Sequence, residues 1–125
     1  MPTNSILRAA VLFEYPSLNG GEHSWLAALP AITAANIDII AVAPPNGPLA
    51  DRLTGEGIPI IPWTDSATKI SLDAKRERLA AAVIDCQPQL IHANSLSMSR
   101  ILGPVSAKMG LPSIGHIRAI VRLSR

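Results

Sequence analysis

The sequence predicts an α/β protein: a Rossmann-like open parallel sheet in the order 3-2-1-4-5, with helices on both faces. Three observations carry that expectation. Five strand-like runs alternate with four helix-like stretches along 125 residues, and such alternation implies parallel strands joined by helical crossovers. The first run, Ile6 to Phe13, is apolar except for Arg8, as a strand covered on both faces must be. The third run, Ile58 to Trp63, contains Pro59 and Pro62, which cannot donate to a ladder and so point to an edge strand. Right-handed crossovers leave few topologies, and a proline-rich third strand at an edge fits 3-2-1-4-5.

Each element has its local cause. After the first strand, Pro16, Asn19, Gly20 and Gly21 break the chain into a loop. Trp25, Leu26, Leu29, Ile32 and Ala35 then recur at helical spacing, with Pro30 inside the pattern as an expected kink. Asn36 suits a left-handed cap. Ile37 to Ala43 reads as the second strand, and Pro44-Pro45-Asn46-Gly47 as a turn. Pro48 opens a short helix, Leu49 to Thr54, that Gly55 and Gly57 stop. The third strand is followed by a polar loop, Thr64 to Ile70. Ser71 is placed to cap the third helix, and Asp73 lies in its first turn, where the dipole favours an acid. Leu79, Ala82, Val83 and Cys86 line one face of that helix, and Pro88 follows it. The mixed charges of Asp73, Lys75, Arg76, Glu77 and Arg78 read as a solvated face. Leu90 to Ala93 is the fourth strand. Ser95 or Ser97 caps a helix to Met109, with a kink expected at Gly103-Pro104 and Gly110 as its C-terminal cap. Ser113 to Ile117 is the fifth strand.

Composition narrows the function classes. Hydrophobic residues make up 48% and charged residues 16%, which excludes intrinsic disorder. The length suits one domain, residues 1–125, burying roughly two-thirds of its extended surface. A single cysteine, Cys86, excludes a disulfide framework and fits a reducing compartment. The longest uncharged run, His23 to Ile37, is broken by Pro30 and carries Asn36, short of the ~18 residues a membrane span needs. Met1 to Asn4 has no basic residue, so a secretory signal is not expected. Net charge is +2, but Arg100, Lys108, Arg118, Arg122 and Arg125 all follow the last acid, Asp85. That asymmetry suits an anionic partner, or a chain whose acids lie elsewhere. Nucleic acid is not expected: Phe13, Tyr15, Trp25 and Trp63 are the only aromatics, and none is interleaved with the basic residues.

In the order 3-2-1-4-5 the strand order reverses between strands one and four, and open α/β sheets bind ligands beyond the carboxyl ends there. The site is therefore expected from Glu14 to His23, from His92 to Ser97, and from His116 to Arg118. Asn19-Gly20-Gly21-Glu22 stands where the first strand meets the first helix. Glycines let a ligand approach the backbone, and the helix start offers N–H groups to an anion. Neither a dinucleotide G-x-G-x-x-G nor a P-loop is present. A tight turn alone would also explain the glycines, and Glu22 would be favourable in a first turn without any ligand. His23, His92 and His116 match no short zinc spacing, so no metal is expected. His116 and Arg118 alternate along a strand end, so both face one space. A neutral imidazole and a guanidinium together suit a sugar phosphate or diphosphate. Asn94 and Ser95 bind ligand hydroxyls or cap the next helix.

These motifs, in succession, resemble the N-terminal domain of the family-four retaining glycosyltransferases. The resemblance rests on Asn19-Gly20-Gly21-Glu22, Ala43-Pro44 with Gly47-Pro48-Leu49, Gly57-Ile58-Pro59, His92-Ala93-Asn94 and His116-Ile117-Arg118. It implies one half of a GT-B architecture, in which two Rossmann-like domains face a cleft. It implies that this chain is the acceptor-side domain of an enzyme transferring a sugar from a nucleotide-diphosphate sugar, with the donor-side domain outside it. Gly20, Gly21 and Arg118 would then meet the donor diphosphate, and His116 would lie near the transferred sugar as the catalytic position. Glu22, His92, Asn94 and Ser95 would meet the acceptor. The co-substrate is the nucleotide-diphosphate sugar, and no cofactor is implied. Relatives often carry an Asp where Ala119 stands, so an acidic role there is unfilled. The partners implied are the donor and a sugar or lipid-linked acceptor, in the cytoplasm or against the inner membrane face. A fifth strand at an edge also invites self-association. A non-catalytic binding module and a nucleotide-sugar epimerase of the same architecture fit the motifs as well.

Overall fold

Side chains alternate across a strand, so the central strand decides which helices share a core. The computed structural model describes residues 6–63 and 70–116. In chain order the elements are β1 (Leu7–Leu12), α1 (Gly20–Ala34), β2 (Ile37–Ala43), α2 (Pro48–Gly55), β3 (Ile60–Pro62), α3 (Leu72–Ile84), β4 (Leu90–Ala93), α4 (Leu96–Met109) and β5 (Ser113–Gly115). The sheet order is β3-β2-β1-β4-β5, as the proline pattern predicts, and every pairing is parallel. Leu7 stands opposite Ile37, and Ala9 opposite Leu90.

Ala9, Val11 and Phe13 point to one face, where Trp25, Leu26 and Leu29 of α1 pack with Leu49 and Leu53 of α2. Phe13 meets Trp25 edge-on, with ring centroids 5.2 Å apart. Ala10 and Leu12 point to the other face, against Leu79 and Val83 of α3 and Met98, Ile101 and Leu102 of α4. The chain thus winds one way from β1 to cover the first face and the other way to cover the second. The carboxyl ends of β1 and β4 are left side by side where the winding reverses.

Several local expectations hold in detail. Asn36 has φ +60°. The Ser71 and Ser95 hydroxyls accept from the N–H groups of Ala74 and Met98, and Gly110 closes α4 in the left-handed region. β3 is shorter than its apolar run. Its ladder begins at the Pro59 carbonyl, which accepts from Ala41 N–H at 2.9 Å, and ends at Trp63 N–H, which donates to Ala43 at 2.9 Å. Gly47 has φ +119°, and a Cβ there would meet the Pro16 carbonyl oxygen at 2.9 Å. The same oxygen accepts from Leu49 N–H at 3.0 Å, so the loop after β1 is tied to the start of α2.

The charged run of α3 differs from its reading as a solvated face. Arg76 is half-buried, and its guanidinium donates to the carbonyls of Arg100 at 2.9 Å and Ile101 at 3.3 Å. Pro104 has no N–H, so the Arg100 carbonyl four residues earlier loses its helical donor; Arg76 replaces it. Among the described residues no helix is long and apolar enough to cross a membrane.

Candidate functional site

A recess of about 270 Å³ opens beyond the carboxyl ends of β1 and β4. Its floor is the end of β1, its sides are the first turn of α1 and the β4–α4 junction, and His116 stands at its rim. A larger recess of about 510 Å³ lies at the opposite end of the sheet, against Leu29, Ile37, Arg52 and Ile58. The switch-point recess is the stronger candidate, because polar groups from three segments converge on it and the strand order reverses there.

α1 begins at Gly20 behind Asn19, whose side chain forms no capping hydrogen bond. The N–H of His23 is bonded to Asn19 O at 3.0 Å; the N–H groups before it have no helical acceptor. Gly20 is exposed, and a Cβ on it would have nothing within 4 Å; its φ is also outside the glycine-favouring region. Neither turn geometry nor packing therefore demands a glycine at position 20. What its hydrogen leaves is open backbone at a helix start, the arrangement that admits a ligand closely.

Glu22 is only 7% exposed and lines the recess, and its Oε1 is buried with no hydrogen-bond partner. That exceeds what a solvated first-turn acid would show. Asn94 is 5% exposed, and its Nδ2 donates to Gly21 O at 3.2 Å, fastening the end of β4 to the start of α1. Ser95 serves both readings weighed for it. Its Oγ accepts from Met98 N–H and donates to Glu14 Oε2 at 3.2 Å, while lining the recess. Glu14 and Asn19 also line the recess. Sequence reasoning placed both within the site region but gave neither a role. Glu14's position directly after β1 was the available signal, and its pairing with Ser95 needed the adjacency of β1 and β4.

The histidines separate. His116 lines the recess, and its N–H extends the β4–β5 ladder to Ala93 O at 3.0 Å. His92 lies behind it within β4, half-buried, with ring centroids 5.5 Å apart; it is not part of the recess wall. His23 is on an exposed side of α1. Arg118 lies outside the described residues. Among the described residues no three His, Cys, Asp or Glu side chains converge as a metal set. Cys86 is buried away from the recess; burial pushes its thiol pKa up, which makes it a poor nucleophile.

No family model matches the chain, and no curated protein does. Solved structures do. Acinetobacter baumannii MurG superposes with a TM-score of 0.70 at 12% identity over 94% of this chain. Anabaena HepE, solved in complex with UDP and glucose, superposes with a TM-score of 0.64 at 16% identity over 86%. The chain spans 37% of the first and 28% of the second, about a third of their length.

Proposed function

We propose that this chain is the acceptor-side domain of a retaining glycosyltransferase that uses a nucleotide-diphosphate sugar. The observation that carries the reading is the recess at the strand reversal, where an uncapped glycine helix start adjoins the buried polar residues Glu22 and Asn94. The fold is similar to those of MurG and HepE, and HepE was solved in complex with UDP and glucose. Under this reading a second domain closes the cleft and holds the nucleotide. Gly20, Gly21 and Arg118 receive the donor diphosphate, and His116 at the rim faces the transferred sugar. Glu22, Asn94 and Ser95 position the acceptor, with His92 supporting His116 from behind. The leaving diphosphate assists attack from the same face, so no protein nucleophile is required. The chain's own contribution is positioning and stabilisation of charge on the leaving phosphate. The protein would work in the cytoplasm, in contact with a membrane surface if its acceptor is lipid-linked.

The test is a titration of the isotopically labelled 125-residue chain with UDP, followed through backbone amides. Shifts should centre on Gly20, Gly21 and His116, with a Kd of about 1 mM, near −4 kcal/mol, because only one wall of the cleft is supplied. Gly21→Val should weaken them. The chain alone should transfer no glucose from UDP-glucose. Shifts centred elsewhere, or none at 10-fold that ligand concentration, would remove the reading.

A further inference from the structure

The walls of the recess say what kind of acceptor group can enter it. We infer that it takes a neutral or amine-bearing sugar ring and turns away one carrying a carboxylate or phosphate at the buried end; this deepens the transferase reading and rests on it for the word acceptor.

Charge is the first ground. The carboxylate and imidazole side chains among the described lining residues are those of Glu14, Glu22 and His116; no Lys or Arg is among these lining residues. An anion placed between two carboxylates in a recess of lowered dielectric is repelled more strongly than in water. Hydrogen-bond capacity is the second. The Ser95 hydroxyl proton is committed to Glu14, and Asn94 spends an amide N–H on Gly21 O. Glu22 Oε1, by contrast, is buried and receives no donor. A carboxylate oxygen can only accept, so the missing partner is a donor: a sugar hydroxyl or an ammonium group.

Shape is the third ground. At about 270 Å³ the recess is at the lower end of ligand-pocket volumes, which start near ~300 Å³; it has room for one ring rather than a chain of them. Phe13, Leu96 and the half-exposed Tyr15 ring supply apolar wall, which suits the C–H face of a sugar. The anion-favouring feature, the start of α1, borders the recess at Asn19 and Gly21 and opens outward at the exposed Gly20, which is not among the lining residues. A diphosphate then lies over the outward end of the helix at Gly20, and an uncharged or cationic ring lies deeper, beside the buried Glu22.

The experiment titrates the labelled 125-residue chain separately with glucose, glucosamine, glucuronate and UDP. Glucosamine should bind most tightly and glucose next, with shifts at Glu22, Asn94 and Ser95, and glucuronate should bind about tenfold more weakly than glucosamine. Glu22→Gln removes the charge, so it should narrow the gap between glucosamine and glucuronate. Equal binding of glucuronate and glucosamine to the unmodified chain overturns the inference, whether or not the variant folds. So does a gap unchanged in Glu22→Gln, or the absence of any sugar binding at these residues. UDP separates the two readings. Intact UDP shifts with a flat sugar series refute the ring preference alone; an intact sugar series without UDP shifts refutes the donor reading alone.

Discussion

In the first turn of α1 a carboxylate is favoured by the helix dipole whether or not a ligand is present, which makes Glu22 ordinary in sequence. The fold then buries it to 7% exposure and leaves Oε1 without a donor. A buried polar atom without a partner costs about 1–3 kcal/mol. Replacing Glu22 with Leu should therefore stabilise the chain by about 1 kcal/mol, raising the melting temperature a few degrees in calorimetry, while weakening sugar binding. A fall in melting temperature would mean that Glu22 has a structural partner. Gly21 and His116 carry the opposite expectation. If the proposed transferase reading holds, in the full-length enzyme Gly21→Val should obstruct the diphosphate and His116→Ala should remove a contact made in the transition state. Each should lower kcat/KM about a hundredfold, the effect of losing one well-placed group worth ~3 kcal/mol, with circular dichroism unchanged. Wild-type kinetics in both would reduce these residues to structural roles.

Among the elements, α4 depends on α3 for its integrity. Pro104 sits inside a helix of 14 residues and deprives the Arg100 carbonyl of its donor. Arg76 supplies that donor from α3. Its ion pair with Asp73, at 3.8 Å and with the acid 93% exposed, adds little. Arg76→Ala should destabilise the chain by about 1–2 kcal/mol in urea unfolding, because it orphans a helix carbonyl. Pro104→Ala restores an N–H four residues after Arg100, so Arg76→Ala should cost about half as much in that background. Strict additivity of the two substitutions would show that Arg76 acts independently of the proline. Local sequence could not disclose this pairing. A run of alternating charges at 73–78 is the signature of a solvated helix face, and the partner lies 24 residues away. The caps at Ser71, Ser95 and Gly110 were legible, because capping is decided within one turn.

At the scale of the whole sheet, β5 is an edge strand among the described residues. Ser113, Ile114 and Gly115 are all exposed, with Ile114 at 52%. The strand carries neither proline nor charge, the two features that usually protect an edge. Self-association of the 125-residue chain through β5 is therefore expected in size-exclusion chromatography with light scattering. Ile114→Lys should shift the population to monomer. A monomer at all concentrations before any substitution would mean that the edge is covered. β3, at the other edge, is preceded by Pro59 and ends at Pro62 and needs no such protection.

Sequence by itself determined the α/β class, the strand order and the order-reversal region, since each follows from short-range causes. Apolar runs mark strands buried on both faces, prolines exclude a central position, and crossovers have one hand. Asn94, Ser95 and His116 were legible as candidates because they follow strand ends, and Gly20, Gly21 and Glu22 because they open the helix after the first strand. Tertiary structure alone decided what each does there. It placed His92 behind His116 rather than in the recess, committed Ser95 to Glu14, tied Asn94 to Gly21, and turned Glu22 from a dipole-favoured surface acid into a buried acceptor. Those outcomes depend on atoms brought together from β1, α1 and β4, separated by 73 residues at Gly21–Asn94 and 81 at Glu14–Ser95. Hydrogen-bond assignments and burial are properties of that juxtaposition, and no window of sequence contains them.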